Sequence, residues 1–256
     1  MIILLVPLPV SNTNSIRHCP RFRIAGHRIV ALLGLAFLSS CSVPAPESSR
    51  PQFQQTAREV ITEALSNPSV TTLHLDGARV TDEDLLLLTN SEHITSILID
   101  SSDITEKGLN PLTSMENLIQ LRLRTRLTDR AIPFIMKMTQ LQFLNLPQAD
   151  FTDDGIQLLS SHSNIQLLRI GGKRLSNKSL KSIANMPSLS FLHLIGVPVD
   201  DQGLPALYAL QQLQSLYLDD TEVTEEGLVK LLRKLPHLHL HINQSHIDRD
   251  PNKHEH

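Results

Sequence analysis

The stretch that decides the fold is Leu213-Gln-Ser-Leu-Tyr-Leu-Asp-Asp-Thr-Glu-Val-Thr-Glu-Glu-Gly-Leu228. The same pattern stands earlier as Ile94-Thr-Ser-Ile-Leu-Ile-Asp-Ser-Ser-Asp-Ile-Thr-Glu-Lys-Gly-Leu109. Working outward from these two, seven copies lie in register, beginning at Val70, Ile94, Leu118, Leu141, Ile165, Leu189 and Leu213, so the period is 23 or 24 residues. Self-similarity at a fixed period of this length specifies a solenoid, in which each unit buries its apolar face only against its neighbours.

Each copy opens with the spacing apolar, two variable, apolar, one variable, apolar. The Leu216-Tyr217-Leu218 alternation is that of a strand with one buried face. A further apolar residue follows five positions on, at Val80, Ile104, Phe151, Leu175, Val199 and Val223, with Leu127 arriving one residue early in the third copy. Next come Thr81, Thr105, Thr128, Thr152, Ser176, Asp200 and Thr224, all good helix N-cap residues. An acid follows in six copies, where the positive end of a helix dipole favours it; Asn177 is the exception. Two places later the residue is small, as at Gly108, Ala131, Gly155, Ser179, Gly203 and Gly227. Apolar residues three apart, such as Leu228 and Leu231, then predict a short helix. Each copy therefore reads as strand, turn and capped helix.

This resembles the leucine-rich-repeat family, in the variant whose convex segment reads T-D-x-G-L-x-x-L. The resemblance covers roughly residues 70–247 and implies an α/β solenoid with a curved parallel sheet on the concave side and short helices on the convex side. Such surfaces bind rather than catalyse. The Asn or Cys common after the strand in that family is replaced by Ala78, Ser102, Arg126, Ala149, Lys173, Val197 and Thr221, so the expectation is that no Asn ladder ties the loops. A capping helix is expected within 53–69, where Ala57, Val60, Ile61 and Ala64 have helical spacing over the first strand's open edge. His237 to Ile247 reads as a truncated eighth strand, and 248–256 as a disordered His-rich tail.

An independent signal lies before the repeats. Arg17, Arg21, Arg23 and Arg28 precede the apolar run Ile29 to Leu38, then Ser39-Ser40-Cys41. A basic region, a short apolar run and small residues are the parts of a secretory signal, and the run is too short to span a bilayer. The Leu38-Ser39-Ser40-Cys41 end resembles the lipobox of bacterial lipoproteins. That resemblance implies cleavage before Cys41 and lipidation of its sulfur, with 1–40 as signal peptide and 41–52 as lipid anchor and tether. It also implies, through Ser42 in place of Asp, delivery to the outer membrane. The Pro/Ser-rich stretch from Ser42 to Pro51 is an extended spacer of about 30 Å. The expected location is the cell envelope, facing the periplasm or exterior, since several acyl chains make a durable anchor.

Composition narrows function further. The chain has 256 residues and a formal charge of −3; losing residues 1–40 removes four arginines and no acids, leaving −7. A general nucleic-acid binder would be basic. Both cysteines, Cys19 and Cys41, precede the repeats, so the stacked core alone must hold the fold. No phosphate-binding loop, dinucleotide fingerprint, G-x-S-x-G or H-E-x-x-H is present. Asp150 to Gly155 has the letters of a calcium loop, but Ser161 stands where the closing Glu belongs, and the same letters recur as the repeat's cap. His239 and His241 share one face of the last strand; with no Cys or acid to complete a site, they read as a solvated edge. The expectation is no catalytic residue, no metal and no cofactor.

The variable strand positions point to the concave face. The central column runs His74, Leu98, Arg122, Asn145, Arg169, His193 and Tyr217. Two residues earlier, Phe143, Leu167 and Phe191 fall on consecutive rungs and predict one apolar strip; two residues later lies Arg124. Acids stand at the ends, at Asp76, Asp100, Asp219 and Asp220. An apolar strip beside arginines has the composition of a binding hot spot. The candidate site is therefore Arg122, Arg124, Phe143, Leu167, Arg169, Phe191, His193 and Tyr217. The expected role is non-catalytic recognition of a protein, peptide or envelope polymer. The alternative is a structural scaffold whose mixed charges only keep the face soluble and whose curve half-buries Phe143 and Phe191.

Overall fold

The computed structural model describes residues 55–243 and 245–246. The signal segment, Cys41, the tether and the tail beyond these residues lie outside that range. The chain enters through α1 (Ala57–Ser66), where Thr56 and Glu59 form a capping box: the Thr56 amide donates to Glu59 and the Glu59 amide to the Thr56 hydroxyl. Ala57, Ile61 and Ala64 are buried beneath it, as their spacing predicts.

Seven parallel strands follow, β1 (Thr72–Leu75), β2 (Ser96–Ile99), β3 (Gln120–Leu123), β4 (Phe143–Leu146), β5 (Leu167–Gly171), β6 (Phe191–Ile195) and β7 (Ser215–Asp219), each hydrogen-bonded to the next. An eighth, β8 (His239–Ile242), extends the parallel order. After Asn243, which takes φ 46°, the chain turns back as β9 (Ser245–His246), antiparallel to β8. The sequence predicts a single truncated strand here; the reversal instead covers part of the last edge, where unpaired amides would otherwise stand open.

Alternation places one set of side chains inward. Leu73, Ile97, Leu121, Leu144, Leu168, Leu192, Leu216 and Leu240 form one fully buried file across the sheet. Phe151 is entirely buried where other copies carry Val, Ile or Leu. The opposite side is less regular than one helix per copy. Helices occur as α2 (Asp82–Leu85), α3 (Ile132–Ile135), α4 (Asp153–Leu159), α5 (Asn177–Ile183) and α6 (Glu225–Lys234). The second and sixth copies form only 3-10 turns, at Glu106–Leu109, Pro111–Ser114 and Leu204–Ala209. No helix among the described residues is long and apolar enough to cross a membrane.

The acid after each cap does more than face a helix dipole. Asp82 accepts from the Thr105 amide (2.8 Å) and hydroxyl (2.6 Å) of the following copy. Glu106 does so for Thr128, Asp129 for Thr152, Asp153 for Ser176 and Asp201 for Thr224. A carboxylate–hydroxyl ladder thus joins neighbouring copies. The small residue makes room: a Cβ on Gly155 would stand 2.1 Å from an Asp129 oxygen. Ser179 fills the same position in the fifth copy, where the Asp153–Ser176 bonds keep their lengths of 2.8 and 2.6 Å.

His162 supplies a pH dependence. It is buried, its Nε2 donates to the Met138 carbonyl (3.1 Å), and its Nδ1 accepts from the Asn164 amide (3.3 Å). The bond accepted by Nδ1 requires the neutral ring, and burial lowers its pKa against the pull of the Met138 carbonyl. The unfolded chain therefore takes up the proton first as pH falls. Stability from His162 is present in full above the ordinary value of about 6.5 and is lost as pH drops below it. We expect the melting temperature of His162→Gln to vary less between about pH 7.5 and 5 than that of the wild type. Parallel pH profiles for the two proteins would contradict this.

Candidate functional site

Strand register sets the open face. His74, Leu98, Arg122 and Asn145 are successive partners, followed by Arg169, His193 and Tyr217. Phe143, Leu167 and Phe191 are likewise paired rung to rung, each half-buried. The strip foreseen in the sequence is therefore in place but partly covered by its neighbours.

The arginines are not equivalent. Arg122 donates to Asp100 at 2.7 Å, and Arg124 reaches the other oxygen of the same carboxylate at 3.2 Å. The Nε2 of His74 lies 3.1 Å from Asp100 and 3.2 Å from Arg122. Mutual repulsion among Arg122, Arg124 and Arg169, expected from their closeness, is thus offset for the first two by Asp100. Arg169 forms no ion pair or hydrogen bond among the described residues, and its Nε is buried without an acceptor. Burial, reinforced by Arg124, lowers its pKa from the ordinary arginine value.

Farther along the column, His193 pairs with Asp219 at 2.8 Å, both largely buried. Desolvation lowers the His193 pKa, opposed by that hydrogen bond. Tyr217 lies between two imidazoles: it stacks on His241 with centroids 4.4 Å apart and meets His193 at 5.3 Å. The Nε2 atoms of His239 and His241 approach to 2.7 Å. The sequence columns stop at the seventh rung and miss His239 and His241, which continue them on β8. The diagonal His193–Asp219 pair was also missed, although one strand later and two residues on is ordinary reach for such side chains.

The remaining chemistry-bearing letters are committed elsewhere. Asp150 is held by Arg126 at 2.9 Å and by Arg174 at 3.6 Å, and Asp153 belongs to the ladder. No group of three or more metal-ligating side chains occurs among the described residues. Surface hollows on α1 and α6 are lined chiefly by charged and polar side chains and lie on the helices rather than the sheet.

No protein-family model matches this chain, and no curated protein does. Solved structures do match. An internalin (inlF) from Listeria monocytogenes strain 4b F2365 superposes with a TM-score of 0.52 at 20% identity, covering 71% of this chain and 50% of its own. Internalin C2 (inlC2) of the same strain gives 0.51 at 18% identity, covering 73% and 92%. The chain thus spans half the length of the first of these relatives. At these identities the likeness is one of fold, and internalins are leucine-rich-repeat proteins. With eight parallel strands in one sheet and short helices on its other side, the fold is an α/β leucine-rich-repeat solenoid.

Proposed function

We propose that this chain is a membrane-anchored, non-catalytic recognition module of the bacterial cell envelope, which binds a protein, peptide or envelope polymer through its concave sheet. The observation that supports it is the pairing, rung to rung, of Phe143, Leu167 and Phe191 beside the column that carries Arg122 and Arg169. The internal face already fills the core, so these outward side chains have no packing duty there. The test is a pull-down from detergent-solubilised envelopes, with concave-face variants as controls. A partner captured by the wild type and lost with the concave variants supports the reading; an identical catch with both refutes it. The scaffold alternative draws on Asp100, which neutralises Arg122 and Arg124 within the face, and it expects substitutions to be tolerated evenly across the sheet.

Anchoring rests on Cys41 and its apolar, basic leader. Cys41→Ala is expected to move the protein from the detergent-rich to the aqueous phase on phase partition and to abolish fatty-acid labelling. Unchanged partition would rule out lipidation at this cysteine.

A further inference from the structure

Asp100 and Asp219 bracket the arginines of the open face and divide them unequally. Asp100 serves Arg122 and Arg124. Asp219 is held by His193 at 2.8 Å and attracts Arg169 only from a distance. The Nε of both Arg122 and Arg169 is buried without an acceptor. Arg122, however, is held through its terminal nitrogen by Asp100, whereas Arg169 is a partly buried cation with no ion pair among the described residues. One rung away in the same column, Asn145 buries its Oδ1 with no donor. Such groups destabilise a folded chain, because water has been removed and nothing replaces it. Arg169 does not fill a gap in the core: it lies on the outward face, between Asn145 and His193, with Leu167 two residues away on its own strand. A destabilising group kept on a binding face is the usual sign that function, not folding, requires it.

Resting on the recognition reading above, we propose that Arg169 is the anion-holding centre of the face, and that its partner is a peptide segment. That segment sets one carboxylate on the guanidinium and apolar side chains on Phe143, Leu167 and Phe191. The planar fork of a guanidinium matches a carboxylate with two parallel hydrogen bonds. A polyanionic polymer fits less well. It needs a row of uncompensated cations, whereas Asp100 and Asp219 stand among the three arginines and Asp76 and Asp220 are exposed toward the ends of the face.

Two variants of the full chain in detergent test this. Arg169→Met keeps the bulk and removes the unpaired charge, so its melting temperature should rise, by about 3 °C. Arg122→Met removes a partner from Asp100 and should lower it. On an immobilised random-peptide array, the wild type should retain peptides with Asp or Glu beside Phe or Leu. Arg169→Met should bind those acidic peptides about 30-fold more weakly while still retaining apolar ones. Lys178→Met, exposed on the helical side, should change neither reading. A fall in melting temperature for Arg169→Met would overturn the proposal, as would an unchanged preference for acidic peptides. Retention of phosphate-bearing polymer and not of peptide would overturn it too. If the wild type retains no peptide, this inference fails; equal retention by the two proteins sinks only the role of Arg169 and leaves the recognition reading standing.

Discussion

Asp129→Ala is expected to destabilise the protein by about 3 kcal/mol, because one change removes two charge-assisted hydrogen bonds and strands their donors. Asp129 accepts from the Thr152 amide at 2.9 Å and from its hydroxyl at 2.5 Å. The Thr152 hydroxyl in turn accepts from the Gly155 amide, so the carboxylate anchors a relay into the start of α4. Loss at a single junction matters in a solenoid, whose stability is a sum of units and nearest-neighbour interfaces. Calorimetry should show the transition broadening as the third and fourth copies uncouple, and amide exchange should quicken at Thr152. Asp154→Ala is the control: Asp154 lies in the same first turn, exposed, and can lose only about 0.5 kcal/mol of dipole stabilisation. If both variants lose the same amount, the ladder has no energetic meaning.

The junction between the fifth and sixth copies supports that account. Asn177 replaces the acid where Asp200 replaces the hydroxyl residue. There the Asn177 amide donates to Asp200 at 2.7 Å, and its carbonyl accepts from the Asp200 backbone at 3.1 Å. An acid at both positions would set two carboxylates together, so the two exceptions compensate each other. Glu106 is a similar adjustment: it spans to Thr128 in the copy that is one residue shorter, with an added methylene.

The period, the inward files and the caps were legible from spacing, because alternation and N-cap chemistry are local rules. The ladder was not, although every letter of it is in the sequence. Reading Thr and Asp as neighbours along the chain hides that Asp129 serves Thr152, 23 positions later and in the next copy. The 3-10 turns of the second and sixth copies were not legible, because the apolar spacing there is that of a helix. On the open face the columns named the right neighbours. They could not show how Asp100 distributes itself between Arg122 and Arg124, since that depends on side-chain direction rather than register. The half-burial of Phe143 and Phe191, weighed as the alternative reading of the strip, is what the structure shows.

That half-covering sharpens what should happen when the strip is removed. Phe143 and Phe191 flank Leu167 in direct register, and each still presents part of its ring outward. A partner seated there would complete their desolvation, and truncating an anchor in such a place weakens binding by about 2 kcal/mol or more. Phe143→Ala with Phe191→Ala is therefore expected to weaken capture from solubilised envelopes by a factor of about 100 or more. The pair stands two rungs apart and shares Leu167, so their effects should not simply add. The fold should survive, because the core files of β4 and β6 point the other way, at Leu144, Leu146, Leu192 and Leu194. Folding is checked by circular dichroism and by the melting temperature, and capture by the pull-down. Lys107→Ala with Lys178→Ala, both exposed on the helical side, should leave capture unchanged. Equal losses from the two pairs would mean that the sheet face is not the recognition surface. Undiminished capture without the two aromatic rings would return the strip to a purely structural role, shielding the sheet where the curve brings its strands together.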